Sequence, residues 1–241
     1  MALSNLWYYL LLHPAYYKRL QQEVDARFLR GEDPTDQERL GGMEFLNACI
    51  SETLRLAPPV PSGSQRGVPP TSDGKLVGSQ SVSQLGLPGL FPLLMICYWS
   101  PLQSPLALSH SLIPGGNNIY LNYYSIQRDS RYFSPEPERF WPDRWLSPEG
   151  RRAMDDPSRL FDPNTPVIHD LDAYLPFSYG TRVCVGKTLA QMEMKVVAAS
   201  VVQKFDMVVA DGYDIKRWDK DLQDFYVYTA GSLPVRLTER R

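Results

Sequence analysis

The sequence predicts a mainly α fold with small β-sheets, an α+β arrangement in one domain. Three observations carry that expectation. Runs of good helix formers occur around Tyr16 to Phe28, Phe45 to Leu56 and Val185 to Lys204. Prolines mark where such runs stop, as at Pro14 and at Pro58 and Pro59. The tail, with Tyr226 to Thr229 and Leu233 to Thr238, alternates apolar and polar residues in the manner of short strands.

Taken in order, Leu3 to Leu12 is apolar, too short to span a bilayer, and lacks the basic flank of a signal peptide. It reads as a buried helix that His13 and Pro14 break. Tyr16 to Phe28 is amphipathic, with its charges on one side. A charged turn from Asp33 to Glu38 leads to a helix in which Glu52 and Arg55, three apart, share one face. An exposed pair of this kind is ordinarily solvated surface. A proline-rich stretch, Pro135 to Trp145, is followed by a polar loop to Pro176 and then by the long helix ending near Lys204. No internal repeat is present.

Composition narrows the function. The net charge of −2 speaks against nucleic acid as partner. Cys49, Cys97 and Cys184 form no CxxC pair, and an odd number is a poor basis for a disulfide framework, so a reducing compartment fits. Cys49, on the Glu52 helix, reads as core. His13, His110 and His169 lack metal-ligand spacing; each reads as a surface or loop residue, and zinc is not expected.

Cys184 carries the chemistry. It stands in Phe177-Ser-Tyr-Gly180-Thr-Arg182-Val-Cys184-Val-Gly186, directly before a helix-forming stretch whose unpaired amides and positive dipole end favour an anionic sulfur. Gly180 and Gly186 permit a sharp turn and the close approach of a flat cofactor, Phe177 is placed to wall the sulfur from solvent, and Arg182 is placed to reach a carboxylate. A lone cysteine is otherwise a small buried hydrophobe. Five specified positions coincide by chance on the order of less than once in a million starts. The stretch resembles the cysteine signature of the cytochrome P450 family of haem-thiolate monooxygenases, Phe-x-x-Gly-x-Arg-x-Cys-x-Gly, with Ala190 where the family often has a small residue.

The resemblance implies further roles. Cys184 would be the axial ligand and sole metal ligand, with haem contacts from Phe177, Gly180, Arg182 and Gly186. Arg66 matches a position that often binds a haem propionate, against the alternative of an ordinary loop arginine. Pro135 to Trp145 looks like the family's meander, so that Arg144 completes a structural network with Glu52 and Arg55; Arg139 competes for that place and fits the pattern less well. Lys187 and Lys195 are candidates for docking an acidic redox partner or, taken singly, residues of a solvated helix face.

What is missing also counts. The resemblance covers most of this chain but only the C-terminal half of a family member, so that residues 1–241 read as a partial domain. The distal helix with its acidic residue and threonine is not among them, and no residue here is assigned a catalytic role. The family pattern joins a strand at Gly74 to Gly78 to a second at Ile113 to Leu121 through a few residues. Here Ser79 to Leu112 intervenes, rich in Leu, Ser and Pro, within a stretch from Leu76 to Gln127 that has no Asp, Glu, Lys or Arg. It reads as a translated intron, with a membrane-associating insertion and a disordered loop as the competing readings.

For the family, the expected reaction inserts one atom of dioxygen into a small organic substrate, with haem as cofactor and electrons from NADPH through a reductase. The alternatives are a truncated, non-catalytic haem-binding fragment, or a haem-thiolate isomerase or peroxygenase. A full-length relative would sit on the cytoplasmic side of the endoplasmic reticulum through an anchor absent from this chain, which alone reads as soluble.

Overall fold

The computed structural model describes residues 1–29, 31–67, 75–78, 110–152 and 166–240. Four helices make the frame: α1 (Ala2–Leu12), α2 (Pro14–Arg27), then, after a single turn α3 (Gln37–Gly41), α4 (Glu44–Leu56). Pro14 occupies the first turn of α2, where its missing N–H costs no hydrogen bond. The first turn of α4 has no side-chain cap of its own. Glu23 of α2 supplies one from outside, its two carboxylate oxygens accepting from the amides of Phe45 and Leu46, both at 2.8 Å.

The chain then leaves the helices for two-stranded ladders. β1 (Gln65–Gly67) pairs with β4 (Asn118–Tyr120), and β2 (Lys75–Gly78) with β3 (His110–Ile113), both antiparallel. The single strand expected from Ile113 to Leu121 is therefore two strands. The turn at Gly116, whose φ of 83° suits glycine, separates them and sends each to a different partner. β3 already begins at His110, so the boundary expected at Leu112 moves back; the rest of the expected insertion lies outside the described residues.

A short helix α5 (Tyr123–Ile126), β5 (Phe133–Ser134), a 3-10 turn (Pro142–Trp145) and α6 (Pro148–Arg152) form the meander, with β6 (Ile168–His169) paired to β5. The last long helix is α7 (Lys187–Lys204), followed by β7 (Phe205–Val209), α8 (Arg217–Asp221), the hairpin β8 (Gln223–Phe225) and β9 (Val227–Thr229), and β10 (Val235–Glu239), which returns to pair with β7.

One core joins α1, α2, α4 and the inner face of α7, where Leu10, Leu20, Leu46, Cys49, Ala198 and Val202 are fully buried. Burial pushes the Cys49 thiol well up, which keeps it protonated and unreactive. Two buried polar contacts tie distant segments to this frame. Arg19 of α2 reaches Asp143 of the meander at 2.6 Å while lying over the Phe45 ring, and the Trp218 indole N–H of α8 donates to Asn5 Oδ1 of α1 at 2.8 Å.

Candidate functional site

The cysteine loop folds back on itself. Ser178 and Gly180 both take positive φ, 64° and 71°, and the reversal lets the Cys184 amide donate to the Phe177 carbonyl at 2.9 Å. At the other end the Lys187 amide reaches the Cys184 carbonyl at 3.2 Å, and Gly186 stands at the N-cap position of α7 without a side chain to cap the helix. Cys184 thus precedes an uncapped helix N-terminus of five turns. A methyl group on Gly186 would sit 3.8 Å from the sulfur.

Among the described residues nothing shields that sulfur. Cys184 is exposed, and Phe177, expected to wall it off, packs its ring against the helical core and contributes its carbonyl instead. Val183 and Val185 on either side are exposed apolar residues, as is Leu189 one turn on. Arg182 is exposed and forms no ion pair among the described residues. Arg66, half-buried on β1, is brought to the same loop, where its Nη2 donates to Ser178 Oγ at 3.2 Å. It too has no carboxylate partner among the described residues.

These residues fit a haem by the chemistry of the donor set. A reachable soft sulfur suits iron, neighbouring apolar side chains suit a flat hydrophobic ring, and two guanidiniums without carboxylates suit its acidic edge. Among the described residues no group of three His, Cys, Asp or Glu side chains is gathered that would bind a metal on its own.

A second constellation is built on the fully buried Glu52, Arg55 and Arg144. Glu52 accepts from Arg55 Nε at 2.7 Å and Nη2 at 2.8 Å, from the Trp141 amide at 3.0 Å, from Arg144 Nε at 3.3 Å and from the Trp145 indole at 2.8 Å. Two guanidiniums on one carboxylate leave a surplus positive charge. Backbone carbonyls meet it: those of Gln127, Pro137 and Arg139 accept from Arg55, and those of Pro135 and Glu136 from Arg144. The meander therefore wraps the two arginines. Burial by itself drives the Glu52 carboxyl up, but the Arg55 charge and hydrogen bonds, with Arg144 and Trp145, outweigh it and hold the carboxyl below its ordinary value.

Of the two candidates for the third position, Arg144 donates its side chain to Glu52, whereas Arg139 contributes a carbonyl and keeps its side chain exposed. Three participants were absent from the sequence reading: Trp141 through its amide, Trp145 through its indole, and Gln127. Gln127 is fully buried, donating to the carbonyls of Leu54 and Arg55 and accepting from the Leu175 amide at 2.8 Å. It links α4 to the segment just before the cysteine loop.

The reading of His169 as a surface or loop residue needs correction. His169 is a half-buried residue of β6, set edge-on to Trp145 with ring centroids 4.3 Å apart, and burial pushes its pKa down to about 4. His13 lies half-buried at the junction of α1 and α2, stacked on Phe140. Local sequence around either carries no sign of these partners. Lys187 is exposed at the start of α7 and Lys195 half-buried on it. No helix among the described residues is long and apolar enough to cross a membrane.

The family model described as Cytochrome P450 matches residues 1–78 and 102–229, breaking off where β2 ends. Among curated relatives, Cytochrome P450 67 of Uromyces fabae is 32% identical over 226 residues, covering 94% of this chain and 34% of that protein. Cytochrome P450 monooxygenase tpcB of Cochliobolus heterostrophus is 28% identical over 236 residues, covering 98% of this chain and 37% of that protein. The crystal structure of a cytochrome P450 aligns over 100% of this chain and 42% of its own, with a TM-score of 0.66 at 20% identity, a likeness of fold. The chain spans about a third of the length of the curated relatives it matches.

Proposed function

The chain belongs to the cytochrome P450 family, and on that footing we propose that it is the haem-holding portion of a haem-thiolate monooxygenase with Cys184 as the axial sulfur. The observation that carries this reading is the exposed Cys184 thiol at the uncapped start of α7, on a loop to which β1 delivers Arg66. Membership implies haem. Held by Cys184, with Arg66 and Arg182 at its edge, that group would supply the oxygen chemistry.

The residues here prepare the site. Cys184 stands just before the first turn of α7, and Gly186 leaves the space beside its sulfur free of a side chain. Arg66 and Arg182 are assigned to the two carboxylates at the ring edge. Glu52, Arg55 and Arg144 hold the meander in register and touch no reacting atom. Electrons are assigned to NADPH through a reductase, with Lys187 and Lys195 contributing to its docking, and the substrate to the class of small organic molecules. A longer protein containing this portion would work at the cytoplasmic face of the endoplasmic reticulum.

The share of its relatives that the chain spans favours a second reading for the isolated polypeptide: haem binding without turnover. Reduction of the haem-loaded chain under carbon monoxide tests the ligand. Thiolate ligation gives the characteristic long-wavelength band, and Cys184→Ser abolishes it. A band that survives this substitution sinks the assignment. Turnover with a reductase then separates the two readings.

A further inference from the structure

A cleft of about 370 Å³ opens on the side of the molecule where the end of α4, α1, α5, α8 and β9 meet, and it shares no residue with the cysteine loop or with Arg66. Three charged side chains line it. Arg128 lies with its guanidinium 3.7 Å over the Tyr124 ring, forms no ion pair among the described residues, and has one buried nitrogen, Nη1, without a hydrogen-bond partner. Glu138 and Asp219 likewise meet no cation within ion-pair distance among the described residues. Asp219 is held in place by the Tyr8 hydroxyl, which donates to its Oδ2 at 2.5 Å.

Opposite charges that share a cleft without pairing are unusual. A buried guanidinium nitrogen without an acceptor is costly, and side chains this long normally close on one another or on water. The rest of the lining is apolar or aromatic. Leu222 presents aliphatic surface over the buried Leu56, and Tyr9 is fixed by stacking on Phe140 at 4.7 Å with its hydroxyl kept protonated by burial.

We infer that this cleft binds a small zwitterion with an aromatic side chain, in the simplest case a free aromatic amino acid. Its carboxylate pairs with Arg128, its ammonium with Glu138 and Asp219, and its ring lies against Leu222 and Tyr228. The cleft is of a size for one such molecule. The proposal is independent of haem and stands whether or not the Cys184 assignment does.

Calorimetric titration of the full 241-residue chain with L-phenylalanine tests it, against 3-phenylpropionate, which lacks the ammonium, and L-phenylalaninamide, which lacks the carboxylate. Saturable uptake of the amino acid is expected, with each analogue weaker by about tenfold or more, the loss of one charge-assisted contact. Arg128→Gln and Glu138→Gln should each weaken the amino acid by a similar factor. Glu138 is exposed, so its replacement leaves the fold intact, as far-UV circular dichroism verifies. No saturable uptake, equal binding of either analogue, or unchanged affinity in either variant overturns the inference.

Discussion

The Trp145 indole donates its N–H to Oε2 of Glu52, 2.8 Å away and 93 residues distant in the chain. The same carboxylate oxygen accepts from Arg55 Nε at 2.7 Å, so one atom joins α4 to the meander. A large aromatic side chain is here a hydrogen-bonding member of an ionic cluster rather than plain core.

Removing the carboxylate should be far worse than removing any one donor. Glu52→Ala leaves two buried guanidiniums facing each other and is expected to cost about 3–5 kcal/mol. Trp145→Phe leaves one acceptor short of one partner and should cost about 1–3 kcal/mol. Urea unfolding of both variants measures the difference, and equal losses would mean that packing rather than charge holds this region.

Acid should unfold the protein in two stages. The folded state lowers the pKa of His169 to about 4 from an ordinary 6.5, so between those values the unfolded chain binds the extra proton and stability falls as pH is lowered. Glu52, whose carboxyl is held below its ordinary value, contributes stability above the usual carboxylate range and loses it as pH drops through its folded value. His169→Gln should make the upper stage, from about pH 6.5 to 4, shallower, with His13, whose pKa burial also lowers, keeping part of it, and leave the lower one. A pH profile of urea midpoints reads both.

Gly63 admits no side chain. Its φ is 79°, and a Cβ there would lie 1.5 Å from the Leu121 carbonyl oxygen. Gly63→Ala must move the loop between α4 and β1, with an expected loss of about 2 kcal/mol or more. Because Arg66 stands on β1, haem affinity should fall with it, measured by titration of the variant against the parent chain.

Gly78 and His110 face each other as Cα partners at the end of the β2–β3 ladder. The ladder therefore ends with two residues side by side, and the family match is interrupted between residues 78 and 102. Replacing 79–109 with Asn-Gly should close a two-residue hairpin and preserve both far-UV circular dichroism and the urea midpoint. Collapse of the shortened chain would show that the segment belongs to the fold. Sequencing the transcript tests the intron reading separately: a message retaining the segment in every copy counts against it.

Local geometry explains what the sequence made readable. The cysteine loop is contiguous, so its spacing brought its residues forward. Glu52 and Arg55 are one helical turn apart, which put them on one face, but their joint role came only from the family resemblance. Arg144 emerged only because its surroundings match a longer family pattern. The contacts that escaped reading, Arg19 with Asp143, Gln127 with Leu175 and Trp145 with Glu52, join segments 48 to 124 residues apart. Nothing near Gln127 in sequence distinguishes it from a surface glutamine, and His169 differs from a loop histidine only through the tryptophan it meets. Strand breaks were equally obscure: Ile113 to Leu121 has the pattern of one strand until Gly116 turns it.

Arg66 reaches Ser178 from a strand only three residues long, whose alignment with Asn118–Tyr120 is, among the described residues, the one ladder holding it. Successive strand residues point to opposite faces, so a shift of a single position against β4 would swing the guanidinium away from the sulfur-bearing loop. Precision at that end of the molecule is thus a matter of alignment in a tiny ribbon, and insertions or deletions just beyond it act on the thiol's surroundings without touching any residue beside the thiol.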